Sequence, residues 1–385
     1  MTAQHIMIVA GETSGDNLGA DLMTTLLLEN PDMQFSGVGG PAMTAIGLKS
    51  IFPMEDIAVM GLMEILPRLK LIYRRIDETV TAILAQKPDA LVLIDSPEFA
   101  HRVAARVKKA TPDILVIDYV APTVWAWRPG RAAKMAAHFD HVLAVLPFEP
   151  RVFKALGGPP CSYVGHPAIE NIPTADDAAR FRQAHQIRPD EQVLAVLPGS
   201  RRNEVKRLMQ PFGETVKQVQ NKISPLRVFM PAVPHVHAII AEELQALDIK
   251  VEVVSGAAEK NGLFATADAA LVASGTVSLE LALAGVPMIV AYQIDKLMGD
   301  LLKRFVQVPS VVLPNLIADR PVIPEFLMER CKTDNLVPAL LPLLQKDSPE
   351  RQYQLAGLAE ILHLMQVQVG SPSRAAALKI LELTG

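Results

Sequence analysis

Twice in succession along this chain, short apolar runs alternate with amphipathic stretches. The runs fall at 5–11, 33–38, 89–95, 114–120, 141–147 and 161–165 in the first half. In the second half they fall at 192–198, 226–231, 249–254, 269–273, 286–292 and 310–313. Stretches such as 98–110, 131–138, 203–221 and 276–284 lie between them with helical spacing. This alternation is the signature of parallel strands layered with helices. The polar region 168–190, with Asn171, Pro173, Asp176 and Asp177, reads as a linker. The expected fold is therefore α/β, with two doubly wound Rossmann-like domains, 1–167 and 168–349, facing across a cleft. In such folds the cleft lies at the carboxyl ends of the strands. The final stretch, 350–385, is helical in period (Leu355, Leu358, Ile361, Leu362) and is expected to cross back to the first domain.

Composition narrows the class. Half of the 385 residues are hydrophobic and a fifth are charged, which excludes a disordered chain. A formal net charge of −4 excludes a general nucleic-acid binder. Basic residues nevertheless gather in the first half, at Arg68, Lys70, Arg74 and Arg75 and again at Arg102, Arg106, Lys108, Lys109, Arg128, Arg131 and Lys134. They form either a solvated face or a surface for an anionic partner. Cys161 and Cys331 are far apart, which points to a reducing compartment without disulfides or a zinc pattern. No basic segment followed by a long apolar stretch opens the chain, so no signal peptide is expected. The longest apolar region, 269–294, is broken by Ser274, Gly275, Ser278 and Glu280. A spanning helix needs about 20 mostly apolar residues, so the chain is expected to be cytosolic and non-spanning.

The second half carries two similar turns. Leu194 to Leu197 reads as a buried strand, and Pro198-Gly199-Ser200-Arg201-Arg202 follows it into a helix. A glycine permits close approach of a ligand, and free N–H groups at a helix start favour phosphate. Arg201 and Arg202 add fixed positive charge. Ala273-Ser274-Gly275-Thr276 repeats the arrangement, with Glu280 early in the next helix. That carboxylate is placed to accept ribose hydroxyls, or simply to complement the helix dipole. Two such turns with an acid at the second describe a nucleoside diphosphate site. No Asp-x-Asp stands at a strand end to hold Mg²⁺, so a leaving diphosphate is expected to be stabilised by cations and N–H groups without a metal or other cofactor.

In the first half, Gly11-Glu12-Thr13-Ser14-Gly15-Asp16 is glycine-rich but lacks the dinucleotide spacing. Its glycines suit backbone contact with a sugar, with Ser14 and Gly15 facing ligand. Asp16 binds hydroxyls or caps a helix. Asp95 ends a strand and precedes Ser96-Pro97-Glu98. It is either a general base facing the cleft or part of a helix cap. Both tryptophans of the chain lie in Val124-Trp125-Ala126-Trp127-Arg128-Pro129-Gly130-Arg131. They suit stacking on a sugar, with Arg128 and Arg131 offered to a phosphate. Residues 58–75 are too apolar for an ordinary surface helix and end in basic residues. They form a buried connecting helix, or an interfacial segment in which Val59, Met60, Leu62, Met63, Ile65, Leu66 and Leu69 meet a membrane. His166, His235 and His237 lack a metal-ligand pattern and read as structural.

With these segments in place the chain resembles the lipid-A-disaccharide synthases, from residue 8 to about 330. The matching pieces include the Gly11–Asp16 turn, Gly37-Val38-Gly39-Gly40-Pro41, Ile94–Phe99, Val124–Arg128, Leu146-Pro147-Phe148-Glu149, Val164–Pro167, Leu197–Arg201, Ser274–Thr276 with Glu280, and Leu313-Pro314-Asn315-Leu316-Ile317. Trp-Ala-Trp-Arg and Pro-Asn-Leu-Ile are the most specific. The resemblance implies a GT-B-like, metal-independent, inverting glycosyltransferase, a hexosyltransferase of lipid A and lipopolysaccharide biosynthesis. Its donor would be UDP-2,3-diacylglucosamine and its acceptor 2,3-diacylglucosamine 1-phosphate (lipid X). The products would be a β(1→6) disaccharide 1-phosphate and UDP. Asp95 becomes the general base by this resemblance. Arg201 becomes a diphosphate ligand, with Ser200, Ser274, Gly275, Thr276, Glu280 and Asn315 lining the nucleotide site. Asp16, Trp127, Arg128 and Arg131 are assigned to the acceptor. Glu98 and Ala100 stand where the family is expected to carry Asp and Asn. The implied location is the inner face of the inner membrane of a Gram-negative bacterium, peripherally bound, with a second copy of the chain as a further expected partner. A UDP-N-acetylglucosamine 2-epimerase type of isomerase shares the two-domain layout, but neither it nor a non-catalytic nucleotide sensor accounts for segment 58–75, the tryptophan loop and Asp95 together.

Overall fold

The computed structural model describes residues 4–58, 62–294 and 308–385, and for residues 62–66 the backbone alone. Contacts divide the chain into two units, Met1–Glu170 with Met365–Gly385, and Asn171–Leu364. Each is built on a six-stranded sheet whose pairings are all parallel. Helices connect successive strands, so both sheets are doubly wound in the Rossmann manner, as a GT-B-like fold requires.

In the first unit the strands are β1 (His5–Ala10), β2 (Gln34–Val38), β3 (Ala90–Ile94), β4 (Leu115–Tyr119), β5 (His141–Ala144) and β6 (Cys161–Tyr163). Their order is β2-β1-β3-β4-β5-β6. The chain builds outward from β1 to β2, then returns past β1 to start β3. The direction of winding therefore reverses between β1 and β3. Every side chain of β3 is buried and apolar, as a central parallel strand covered on both faces demands. The helices are α1 (Thr13–Glu29), α2 (Pro41–Ala45), α3 (Leu62–Gln86), α4 (Pro97–Ala110), α5 (Gly130–Met135) and α6 (Glu149–Ala155).

The second unit opens with α7 (Ala175–Ala184), inside the stretch expected to be a linker. Thr174 and Asp177 form a reciprocal capping box there, so the polar residues start a helix. There follow β7 (Gln192–Leu197), α8 (Arg202–Lys222), β8 (Leu226–Pro231), α9 (Pro234–Leu247), β9 (Glu252–Val254), α10 (Ala257–Thr266), β10 (Ala269–Ala273), α11 (Val277–Leu283) and β11 (Met288–Tyr292). Next come α12 (Leu313–Ala318), β12 (Glu325–Leu327), α13 (Thr333–Leu344) and α14 (Pro349–Met365). The strand order β12-β11-β10-β7-β8-β9 reverses between β7 and β10. Helix α8 shows why the elements form. Val205, Leu208, Met209, Phe212, Val216 and Val219 recur at helical spacing and are all buried in the core.

The strand expected at 310–313 is displaced to 325–327. Val311 N–H and the Ser310 hydroxyl are engaged by the Glu325 carboxylate, and Leu313-Pro314 starts α12. A helix that begins at residue 313 leaves no room for a ladder. Of the C-terminal residues, α14 belongs to the second unit, where Gln354 exchanges hydrogen bonds with the Met288 backbone. From Met365 the chain belongs to the first unit. Tyr163 donates to Met365 O at 2.5 Å, Ser373 N–H donates to Glu170 at 3.0 Å, and Arg374 in α15 (Pro372–Thr384) donates to Glu29 at 3.1 Å.

Candidate active site

In open parallel sheets, ligands settle at the carboxyl ends of the strands where the winding reverses. In the first unit that point joins the turn after β1 to the turn after β3. Gly11 makes the junction possible, because a Cβ there would stand 1.8 Å from the Ser96 hydroxyl oxygen. Asp95 and Ser96 both take left-handed backbone angles, with φ of 58° and 47°. Two consecutive non-glycine residues in that region store strain, which persists only where surrounding structure enforces it. The enforcing contacts are Asp95 N–H to Tyr119 O at 3.1 Å and Ser96 N–H to Asp95 Oδ1 at 2.8 Å. Ser96 occupies the cap position of α4 and Pro97 its first turn. Asp95 is therefore outside the helix, half-buried, with Oδ2 directed to no hydrogen-bond donor among the described residues.

Two further acids face Asp95. Burial, then the Asp95 charge, pushes the Glu12 carboxyl up. Asp118 on β4 is buried, and desolvation followed by Asp95 and Glu149 holds its carboxyl well above the usual range. Both neighbours therefore hold a proton more tightly than a free carboxyl does. Asp16, expected to meet acceptor, is 1 % exposed and accepts from Gly40, Ala42 and Met43 N–H at 2.7, 2.9 and 3.1 Å. Its carboxylate caps α2, a helix 25 residues downstream of it in sequence. Ser14 is exposed at the start of α1, and Gly15 is buried against Ile94.

The tryptophan loop connects β4 to α5. Ala126 and Trp127 N–H both donate to Thr123 O, at 3.0 and 3.2 Å, which closes it into a tight turn. Trp125 points inward, donating Nε1–H to Glu149 Oε1 at 3.1 Å and meeting Phe148 edge-on. Trp127 points outward and is 43 % exposed, with the Arg128 guanidinium 4.2 Å above its ring. Glu98 pairs with both Arg128 and Arg131. A residue that departs from the expected family pattern therefore anchors the two arginines offered to a phosphate. Of the apolar segment, Val59 and Met60 lie outside the described residues, as do the side chains of Leu62, Met63, Ile65 and Leu66. Leu69 and Tyr73 on α3 are 38 % and 42 % exposed.

The reversal point of the second sheet holds a pocket of about 490 Å³. Its walls come from the turns after β7 (Gly199, Ser200), β8 (Ala232 to Pro234), β9 (Gly256, Ala257) and β10 (Ser274 to Val277). Gly275 has an ordinary φ and nothing within 4 Å of a built Cβ. Neither backbone strain nor a protein neighbour requires glycine there, and its absence of side chain opens the pocket wall. Ser274 Oγ donates to Val311 O at 3.0 Å, and His235 Nε2–H donates to Ser200 O at 2.7 Å, so both turns are tied down.

Two features of this pocket escape the sequence reading. Lys260 on α10 reaches Glu280 Oε2 across the pocket, an ion pair that no motif announces. Glu204 governs the first turn. It accepts from Arg201 N–H at 3.3 Å, from the Arg201 guanidinium at 3.2 Å and from Tyr292 OH at 3.0 Å. A Cβ at Gly199, whose φ is 112°, would lie 2.8 Å from that carboxylate. The capping spacing Arg201–Glu204 was the available signal. Arg201 itself is 71 % exposed and is not among the pocket-lining residues. Asn315 departs further from expectation. It is 3 % exposed, and its amide serves Val322 N, Ile323 N, Ile323 O and Glu325. All four of its hydrogen-bonding positions hold the chain between α12 and β12.

A profile of the lipid-A-disaccharide synthetase family matches residues 6–380. The lipid-A-disaccharide synthase of Rhodospirillum centenum is 47% identical over 380 residues, 98% of this chain and 94% of that one. That of Nitrobacter hamburgensis is 44% identical over 382 residues, 99% and 96% of the two chains. Among solved structures, the UDP-GlcNAc 2-epimerase of Neisseria meningitidis bound to UDP-GlcNAc superposes with a TM-score of 0.61 at 12% identity, covering 99% of each chain. MurG of Acinetobacter baumannii gives 0.60 at 15% identity, covering 98% of this chain and 99% of that one. These structural likenesses establish the two-domain fold and nothing narrower.

Proposed function

The chain belongs to the lipid-A-disaccharide synthetase family and is a glycosyltransferase of lipid A biosynthesis, and from that premise we propose how its residues divide the reaction. The first unit binds the acceptor, 2,3-diacylglucosamine 1-phosphate, and the second binds UDP-2,3-diacylglucosamine. Asp95 accepts the proton of the acceptor 6-hydroxyl as that oxygen attacks the anomeric carbon of the donor. The bond from that carbon to the diphosphate breaks, UDP leaves, and the configuration inverts to β(1→6). The observation that carries this reading is Asp95 itself, held in a strained conformation at the reversal point, outside the helix it precedes. Its neighbours Glu12 and Asp118 both have carboxyls pushed up, by burial first and then by the Asp95 charge.

The leaving diphosphate is met by the turns at Ser200 and at Ser274 to Thr276, with Arg201 at the mouth. Glu280 accepts from the ribose hydroxyls, in exchange for Lys260. Trp127 stacks on the acceptor sugar, while Arg128 and Arg131, held by Glu98, meet its phosphate. No helix among the described residues is long and apolar enough to cross a membrane. The apolar residues 59–69 with Arg68, Lys70 and Arg74 support peripheral contact with an anionic membrane surface, on the cytosolic face of the inner membrane. Incubation of the protein with both acylated sugars tests the whole reading. UDP and disaccharide 1-phosphate should appear together in equal amounts. Failure to form the disaccharide overturns it.

A further inference from the structure

Glu149 opens α6 at 1 % exposure, and no Lys, Arg or His among the described residues pairs with it. A carboxylate buried without a cation is costly unless both oxygens accept hydrogen bonds. They do so in two different directions. Oε2 accepts from Leu146 N–H at 3.0 Å, reaching back three residues as a local cap. Oε1 accepts from Trp125 Nε1–H at 3.1 Å, 24 residues away in sequence. The local bond explains an acid at the start of α6. It does not explain why the second oxygen should be kept for an indole on another loop.

Trp125 sits at the centre of the turn closed by Thr123 O, two residues before the exposed Trp127 and three before Arg128. Its indole is fixed at one end by Glu149 and on one face by Phe148, the residue preceding Glu149, at 5.4 Å between ring centroids. Trp125 and Trp127 lie in the one turn closed by Thr123 O, with only Ala126 between them. We infer that Glu149 is a positioning residue for the acceptor: through Trp125 it fixes the loop that presents Trp127 and Arg128 to the acceptor sugar phosphate. The inference rests on the assignment of that loop to the acceptor. Burial also pushes the Glu149 carboxyl up, to about 7, while the Trp125 and Leu146 bonds oppose that shift. The bonds are therefore made best by the ionised form.

The test uses the full chain, with separate Michaelis constants for the two acylated sugars. Glu149→Gln keeps the size but sets an amide N–H₂ against one of two N–H donors. Trp125→Phe keeps the ring and removes the donor while leaving Glu149 in place. Each should raise the acceptor KM about ten-fold, since small misplacements of positioning groups are costly. The donor KM should stay unchanged. Because both act through one bond, the double variant should be no worse than either single one. The chain has only two tryptophans, both on this loop, so emission from Glu149→Gln should shift to the red without ligand. Additive effects, an equal rise in both KM values, or an acceptor KM equal to wild type overturns the inference. Trp127→Ala and Arg128→Ala separate the two levels. If neither changes the acceptor KM, the acceptor assignment of the loop falls and the inference falls with it. If they raise it and Glu149→Gln does not, only the positioning role falls.

Discussion

Gly11 and Ser96 meet so closely that a Cβ on the glycine would lie 1.8 Å from the serine hydroxyl oxygen and 2.4 Å from its Cβ. No rotation of the serine removes both clashes, so Gly11→Ala must shift the backbone of the turn that carries Asp95. The expected outcome is a fall in kcat of about ten- to a hundred-fold, in line with the cost of displacing a catalytic group by about 1 Å. UDP affinity, which the proposal assigns to the second unit, should be unchanged. Calorimetric titration with UDP alongside turnover checks this, and a normal kcat would show that the contact does not hold Asp95.

Replacing Asp95 itself is the sharper chemical test. A positioned general base contributes about 10²–10⁴-fold. Asp95→Asn should lose a factor in that range from kcat while both substrates still bind. The residue adopts a left-handed backbone in which asparagine is as acceptable as aspartate, so the substitution removes charge without adding strain. A rate near wild type would remove Asp95 from the mechanism.

How far the sequence could have led to these sites depends on where the information sits. The alternation of apolar runs carried eleven of the twelve strands, because burial on both faces writes itself into local composition. It failed at 310–313, where an apolar stretch between Pro309 and Pro314 is claimed by Glu325 and by the start of α12. The placement of Asp95 and of the pocket turns at strand ends was legible, because strand ends are marked by the change from apolar to turn residues. The hydrogen bonds that Asp16 and Asn315 make were not legible. Each satisfies backbone groups of segments that the fold brings alongside, and only tertiary structure names those partners. Lys260 and the bond from Trp125 to Glu149 stayed hidden for the same reason, since a charged residue in a helix carries no mark of what it faces.

The Lys260–Glu280 pair offers a test of the proposed ribose contact. Both side chains are about one-third exposed, at 35 % and 33 %, so solvent weakens the pair enough for a ligand to replace it. If ribose hydroxyls replace Lys260, Glu280→Gln should weaken UDP binding by about ten-fold, the loss of a charged hydrogen bond. Affinity for the 2′-deoxy nucleotide should change far less, so discrimination between the two collapses. An equal loss for both nucleotides would place Glu280 away from the ribose.

The proposed membrane contact is tested on α3 and the apolar residues before it in the sequence. Leu69 and Tyr73 are exposed large side chains on that helix, beside Arg68, Lys70 and Arg74. Burying one large apolar side chain contributes about 1.5–3 kcal/mol. Leu69→Asp, combined with Met60→Asp or Met63→Asp, should therefore reduce co-sedimentation with anionic vesicles by about ten-fold or more. Thermal stability should hold. Unchanged sedimentation would assign the segment to a purely structural connection.

His166 is expected to make stability fall in acid. Its Nδ1 accepts from Ala168 N–H at 3.1 Å, capping the short helical turn that follows, and burial lowers its pKa from 6.5 to about 4. Protonation would turn that acceptor into a donor facing another donor. Because the folded pKa is depressed, the unfolded chain binds the proton more readily between pH 6.5 and 4. Stability from this group is complete above pH 6.5 and falls with pH through that window, by at most about 1.4 kcal/mol per pH unit. His101, also lowered to about 4 by burial and then by Arg131, adds a slope of the same sign. His166→Asn keeps a cap acceptor and cannot titrate. Its melting temperature should match wild type near pH 7.5 and exceed it increasingly from pH 6 down to pH 4.5. Parallel melting curves for the two proteins across that range would mean that His166 is not held neutral by the fold.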